Sequence, residues 1–153
     1  MDTNKKPLVL KHDEGETLSA MGAKVRFLYS GDKTGRAWSL TECDAPKDSG
    51  PPPHNHPWDE AYYVLEGAVR FSIDGRDTVA NAGDFVFVPA GTNHGFKGAS
   101  DKTARMLFFD APAASEAFFR ELDREIKMMP DDLRKVPEIG ERHRIHFVGH
   151  PPH

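Results

Sequence analysis

The amino-acid sequence predicts an all-β fold, an antiparallel sandwich or barrel, that is followed by a C-terminal helical extension. Between residues 24 and 110, short β-prone runs alternate with turns rich in Gly, Pro, Asn and Asp, a rhythm typical of such sheets. After Pro112 the apolar residues adopt helical spacing instead. Because 153 residues suffice for one barrel and little more, we expect the barrel over residues 1–112 and the extension over 113–153.

Eight runs are predicted as strands, enough for a closed roll of two sheets. Each combines β-branched or aromatic residues with flanking turn residues. Asp74-Gly75 between two of the runs predicts a tight hairpin, because both central positions of such a turn need positive φ. The predicted strands span residues 24–30, 36–42, 60–66, 68–74, 77–81, 84–89, 94–98 and 105–110 with the residue before it. On the second of these, Trp38 and Leu40 are expected to face the core.

The C-terminal extension is predicted to begin with a helix of about 14 residues within SEAFFRELDREIKMM, capped by Ser115. Pro137 and Gly140 then predict a short broken helix followed by an extended tail. Four tail histidines could bind metal, but a mobile terminus pays ordering entropy to do so, and we expect them to be solvated. They are His143, His146, His150 and His153.

The amino-acid composition limits the kinds of molecule that the protein is expected to bind. A net charge of -4 with 38% hydrophobic and 29% charged residues provides no basic excess to attract nucleic acid and no polybasic anchor for lipid. The first residues lack the apolar region of a secretion signal, so the cytoplasm is the expected location. Cys43 stands alone, which excludes an internal disulfide and a thiolate cage. We expect small-molecule partners or a second copy.

The stretch HNHPWDEAYYVLEG at residues 54–67 contains side chains that bind metals. Strand alternation allows His54, His56 and Glu60 to point to one side. Imidazole nitrogen and carboxylate oxygen together suit divalent first-row metals. Because the chain has eight histidines, the pair His54 and His56 taken alone could equally belong to a surface loop.

A second stretch, GDFVFVPAGTNHGFKG at residues 83–98, strengthens the metal interpretation. Pro89 and Gly91 supply fixed and permissive φ for a chain reversal. This turn therefore fixes the position at which His94 begins the next strand. Its side chain can then face the same side as His54, His56 and Glu60.

Together these residues resemble the two motifs of the cupin family, G-x5-H-x-H-x3,4-E-x6-G and G-x5-P-x-G-x2-H-x3-N. Two positions depart from the pattern, since three residues instead of five separate Gly50 from His54, and Gly98 stands where the last Asn belongs. Neither departure removes a metal ligand. The matching residues are His54, His56, Glu60 and Gly67 in the first motif and Gly83, Pro89, Gly91 and His94 in the second.

The resemblance implies a double-stranded β-helix, the cupin jelly roll, with one divalent transition metal ion bound by His54, His56, Glu60 and His94. Iron, nickel, manganese, copper and zinc all suit this set. Burying these groups without an ion would cost about 1 to 3 kcal/mol for each one left unsatisfied. The resemblance also implies a homodimer that pairs through an edge strand.

The tail, with FFRELDREI and then ERHRIHFVG, looks similar to bacterial single-domain cupins of the quercetin-dioxygenase-like group. This implies a metal-dependent dioxygenase acting on a small enolic or phenolic, flavonol-like substrate, with Glu60 also serving as the catalytic base. A non-catalytic small-molecule-binding cupin and a cupin isomerase or lyase stay open, because one scaffold hosts many reactions. Several apolar residues share the strand face that points into the barrel. They could line an apolar substrate pocket or, alternatively, pack the core. Its candidate residues are Tyr62, Val64, Phe96, Met106 and Phe108.

Overall fold

The computed structural model describes residues 5–148 and contains, within them, eleven strands and two α-helices. The strands are β1 (Thr17–Ala20), β2 (Ala23–Tyr29), β3 (Ser39–Ala45), β4 (His54–Asn55), β5 (Asp59–Glu66), β6 (Ala68–Ile73), β7 (Arg76–Asn81), β8 (Phe85–Val88), β9 (His94–Gly98), β10 (Ala104–Ala111) and β11 (His146–Phe147). The helices are α1 (Glu116–Glu125) and α2 (Val136–Arg142), preceded by a 3-10 turn at Asp131–Lys135.

The strands form two antiparallel sheets around one core, which confirms the predicted jelly roll. One sheet has the order β1-β2-β3-β10-β5-β8 and the other the order β11-β4-β9-β6-β7. The predicted hairpin between β6 and β7 is confirmed as well, since Asp74 and Gly75 both have positive φ. Sequence patterns missed β1, β4 and β11, and the last two, with two residues each, are too short to display alternation.

The strand predicted at residues 36–42 lies three residues later, at Ser39–Ala45. The chain before it turns through Arg36, whose φ is 65°. The odd-numbered residues of β3 form its buried face, from Ser39 to Ala45, so Leu40 lies on the opposite face. The expectation that Trp38 and Leu40 face the core is therefore wrong: both are half-buried, and Trp38 stacks on Phe109 at 5.8 Å between ring centroids.

The inward face of the β5–β10 pair changes from apolar to polar along its length. Its paired residues are Met106 with Val64, then Phe108 with Tyr62, and finally Asp110 with Glu60. All six side chains are buried. The polar end of this pair is the end at which the candidate site lies.

The C-terminal extension packs on the barrel. Phe118 and Leu122 of α1 are buried, as the helical spacing predicts. Ser115 immediately precedes α1, but its hydroxyl makes no capping hydrogen bond and donates to Asp110 instead. The predicted break at Pro137 and Gly140 is wrong, because α2 contains both residues.

Two local features explain why α2 is not broken. Pro137 lies in the first helical turn, where its missing N–H is not needed. Gly140 makes room for the chain that follows, since a Cβ there would lie 2.6 Å from the Ile145 carbonyl oxygen. Gly140 therefore lowers the helix propensity of α2 but allows β11 to pack closely.

The expected solvation of the tail histidines holds for His146, which is exposed beside Glu141. It fails for His143, a half-buried side chain whose Nε2 lies 2.8 Å from Glu121. His150 and His153 lie outside the described residues. Within residues 5–148, neither helix is both long and apolar enough to cross a membrane.

Candidate metal centre

Three strands bring the four predicted ligands together. His54 begins β4, His56 follows that strand, Glu60 lies in β5 and His94 begins β9. β4 and β9 pair with His54 directly opposite His94. The ligand atoms of all four residues lie within 4.8 Å of one another, and all four side chains are buried. The structure therefore places two segments that are distant in sequence around one point.

The spacing of these atoms suits a single ion. Two ligands that are each about 2.1 Å from one metal are at most about 4.2 Å apart, so small side-chain movements would close the group. Glu60 Oε1 already lies 3.1 Å from His94 Nε2 and 3.4 Å from His56 Nε2.

Backbone carbonyls fix the tautomer of each imidazole. In all three histidines Nδ1 lies within hydrogen-bond distance of a carbonyl two residues away, and because a carbonyl only accepts, Nδ1 carries the proton. Each neutral ring then presents an Nε2 lone pair, and lone pairs facing a carboxylate need a cation between them. The donor set thus fits a divalent metal ion. The distances are 2.9 Å from His54 to Pro52, 3.1 Å from His56 to Trp58 and 2.8 Å from His94 to Thr92.

Burial and aromatic packing act on individual rings of this group. Burial, together with the neighbouring His94, lowers the pKa of His54 to about 3. His54 is therefore uncharged at neutral pH and ready to bind. The indole of Trp58 stacks on His56 at 4.1 Å with an interplanar angle of 7°.

A second buried carboxyl group, that of Asp110, lies beside the ligand Glu60. Burial raises the pKa of Asp110 well above its usual range, and the charge of Glu60 raises it further. Burial also acts to raise the pKa of Glu60, but its polar neighbours Asp110, His56 and His94 outweigh it and hold this pKa well below its usual range. Asp110 thus keeps its proton beside an ionised Glu60, and its Oδ2 accepts a hydrogen bond from the Ser115 hydroxyl. The hydroxyl of Tyr62 donates to the Glu60 carboxylate.

The raised pKa of Asp110 predicts how the stability of the metal-free protein depends on pH. Above about pH 4 the unfolded chain releases this proton while the folded chain keeps it, so the free energy of unfolding falls as pH rises towards the folded pKa. The slope from one such proton is at most about 1.4 kcal/mol per pH unit. Asp110→Asn should remove this contribution.

Urea unfolding of both proteins between pH 4 and 7 measures this effect. Comparing the two chains cancels the slopes of the other titrating groups. We expect the stability of the wild type relative to Asp110→Asn to decline with rising pH. A constant difference over this range would contradict the assignment of the proton.

A small, mainly apolar cavity of about 40 Å³ adjoins the ligands, with room for roughly two or three water molecules. The C-terminal extension contributes to its wall, through Phe118, Phe119, Ile145 and Phe147. Phe147 pairs with His54 through β11 and β4, and their ring centroids are 5.3 Å apart.

Three of the five candidate pocket residues line this cavity, namely Tyr62, Phe96 and Phe108. The expectation for Val64 and Met106 needs correction. These two residues pair with each other one layer deeper in the barrel, are completely buried and do not border the cavity. Strand alternation correctly predicted that both side chains lie on the inner face of the sheet. It does not predict how far along the barrel they lie from the cavity.

Sequence reasoning missed the contributions of Asp110 and Phe147. Asp110 had a readable signal, because an acid occupies an inward position of a strand otherwise lined by Ala104, Met106 and Phe108. Phe147 had none, since a two-residue strand shows no period. Cys43 also borders the cavity, and burial raises its pKa to about 12, which keeps it a thiol at neutral pH.

Comparisons with known proteins agree with this geometry. Residues 41–110 match a family model described as the Cupin domain. The chain is 32% identical over 117 residues to Quercetin 2,3-dioxygenase of Bacillus subtilis (strain 168), covering 76% of this chain and 34% of that protein. It is 30% identical over 89 residues to Polyketide synthase CurC of Streptomyces cyaneus, covering 58% of each. The chain thus spans less than two thirds of either relative's length.

Among solved structures, the polyketide cyclase RemF from Streptomyces resistomycificus aligns with a TM-score of 0.61 at 25% identity. The alignment covers 69% of this chain and 80% of that protein. These relatives carry different functional names. The matched domain, the jelly roll and the buried His-His-Glu-His group together show that this chain belongs to the cupin superfamily.

Proposed function

We propose that this protein is a metal-dependent dioxygenase that acts on a small enolic or phenolic, flavonol-like substrate. The position of Glu60 carries the proposal, because this buried carboxylate belongs to the ligand group and also lines the apolar cavity. A substrate hydroxyl in that cavity would lie close to a base and to the imidazoles. The sequence similarity to a quercetin dioxygenase supports the same reaction class.

A bound divalent ion would act as a Lewis acid that stabilises the oxyanion of the substrate. The imidazoles of His54, His56 and His94 would hold that ion, each oriented through its Nδ1 hydrogen bond. Glu60 takes the hydroxyl proton, since a carboxylate can leave a metal and return to it. Dioxygen is the second substrate, and both of its atoms enter the product.

The cavity wall suits a flat and largely apolar substrate. Tyr62, Phe96 and Phe108 present aromatic rings, and ring centroids within this group are 5.9 to 6.2 Å apart. Among the described residues, the Nε1–H of buried Trp58 has no hydrogen-bond partner, so it is free to donate to a substrate oxygen. Because a cavity of about 40 Å³ is far smaller than an aromatic substrate, such a substrate would bind only if part of the surrounding wall moved.

A second candidate is cyclisation of a polyketide substrate. The similarities to a polyketide synthase and to the polyketide cyclase structure favour it. Polyketides carry enolisable carbonyls, so Glu60 would again act as the base, but no dioxygen would be consumed. The two candidates therefore share a proton-transfer step and differ in their second substrate.

Glu60→Gln should retain much of the metal but lose about 10²- to 10⁴-fold in turnover, because an amide can bind metal through its oxygen but cannot accept the proton. Metal content by elemental analysis and the rate of oxygen uptake with a panel of flavonols and other enolic compounds measure the two properties separately. Glu66→Gln is the matched control, since Glu66 lies in the same strand with an exposed side chain.

The same assay separates the proposed functions. Oxygen consumption with product formation supports the dioxygenase, whereas product formation without oxygen supports a cyclase, isomerase or lyase. Binding without any product indicates a non-catalytic binding protein. Unchanged turnover in Glu60→Gln would remove Glu60 as the base.

A further inference from the structure

A groove lies between the C-terminal extension and the proline-rich segment that precedes β4. Its volume is about 540 Å³, within the range of about 300–1,000 Å³ that small-molecule sites usually have. The cavity beside the metal ligands offers only about 40 Å³. Met21 and Phe147 line both spaces. These two side chains are therefore the wall that the groove and the metal cavity share.

The lining of the groove is apolar and carries no net charge. Asp48 and Lys97 are its charged residues, one of each sign. All its other lining residues are Met, Leu, Val, Phe, Pro or Gly. The two opposite charges give no net attraction for an ion, whereas the apolar surface stabilises an apolar ligand that it removes from water. The groove therefore suits an uncharged and largely apolar molecule.

One side of the groove is rigid and the other can adapt. Pro52 and Pro53 belong to the rigid side. Gly50 lets this segment lie against β9, since a Cβ there would be 2.3 Å from the Phe96 carbonyl oxygen. The C-terminal extension provides the other side, where Met129 is 52% exposed. A methionine side chain can repack around ligands of different shape, which gives this exposed apolar residue a role.

The shared wall consists of two side chains that come from separate elements. Met21 lies in the turn between β1 and β2 and has a φ of 49°, yet it is only 8% exposed. Phe147 is half-buried and belongs to β11, which pairs with β4 through two residues. Displacement of either side chain would open a passage from the groove to the metal cavity.

We propose that the substrate of the metal centre is an elongated molecule that occupies both spaces. Its reactive, oxygen-bearing end enters the cavity between Met21 and Phe147, and its uncharged apolar remainder lies in the groove. This inference rests on the proposed function, and it applies to the dioxygenase and to the cyclase candidate alike. It accounts for the difference in size, because the cavity alone has room for roughly two or three water molecules.

Binding of N-phenyl-1-naphthylamine, an uncharged apolar dye, to the metal-free full-length protein tests the groove separately from the reaction. Methionines labelled with ¹³C at the methyl group report where the dye binds. We expect the dye to shift the resonances of Met21 and Met129, which line the groove, and to leave those of Met106 and Met128, which do not. Absence of saturable binding up to about 100 µM, or binding that leaves the Met129 resonance in place, would overturn the proposal.

Met129→Glu should weaken dye binding about 10-fold, because the new carboxylate would lose water beside an apolar ligand. Met128→Glu is the matched control, since Met128 is the adjacent residue, is 65% exposed and does not line the groove. With a substrate that is turned over, Met129→Glu should raise KM about 10-fold and affect kcat much less, as expected for lost binding remote from the reacting atoms. Equal effects of the two substitutions would overturn the proposal.

Failure of the groove and failure of the proposed reaction are distinguishable. Dye binding with the expected methyl shifts but without oxygen uptake for any compound supports the groove as a binding site and removes the dioxygenase. Turnover of a substrate whose binding shifts neither Met21 nor Met129 overturns the groove proposal and leaves the dioxygenase in place.

Discussion

His94→Ala should lower the affinity for divalent metal ions by more than about 100-fold. Loss of a hydrogen-bond partner behind a metal ligand typically costs 10- to 100-fold in affinity, and loss of the ligand itself costs more. His94 is only 1% exposed, so water cannot easily take its place. Its Nε2 lies opposite Glu60, and its removal leaves that carboxylate with one imidazole neighbour fewer.

Competition against a chromophoric chelator measures this loss, with untagged protein and each of the five candidate metals. Ligand binding also stabilises a fold by about 2.7 kcal/mol at 100 times the dissociation constant, so metal should raise the melting temperature of the wild type but hardly that of His94→Ala. His146→Ala is the control, because that histidine is exposed on β11 outside the ligand group. Equal affinities in wild type and His94→Ala would remove this histidine from the site.

Leu122→Ala should reduce the free energy of unfolding by about 2–5 kcal/mol, the range for a buried leucine whose removal leaves a cavity. Leu122 is completely buried where α1 packs on the barrel. The same helix contributes Phe118 and Phe119 to the cavity wall. The substitution therefore tests whether the C-terminal extension is an integral part of the fold.

Urea unfolding followed by tryptophan fluorescence measures this change. Met128→Ala serves as the control, since Met128 is 65% exposed, and its effect should stay within about 0.5 kcal/mol. A loss below 1 kcal/mol in Leu122→Ala would show that α1 is only loosely attached.

Local spacing made the ligand group predictable from sequence. His54, His56 and Glu60 lie close together along the chain, and their common side follows from strand alternation. His94 follows a turn whose Pro89 and Gly91 are visible in the sequence. Each of these inferences depends only on residues that are close together in the sequence. The resemblance to the two cupin motifs then predicts that the two segments contribute to one site.

Pairing between distant residues could not be read in the same way. The contact between Asp110 and Glu60 depends on the register of β10 against β5, and that of Phe147 with His54 depends on a two-residue strand. The orientation of Trp38 failed for a different reason. Because β10 carries apolar Phe109 on its outer face as well as Phe108 inside, hydrophobicity alone does not tell which face of this sheet is the core.

The position of Phe147 over His54 has a consequence for metal exchange. All four ligands are buried beneath the C-terminal wall, and the last strand of that wall is held by only two paired residues. Detachment of this short strand would widen the path between the ligands and solvent. We therefore expect substitutions that weaken β11 to speed the release of a bound ion to a chelator.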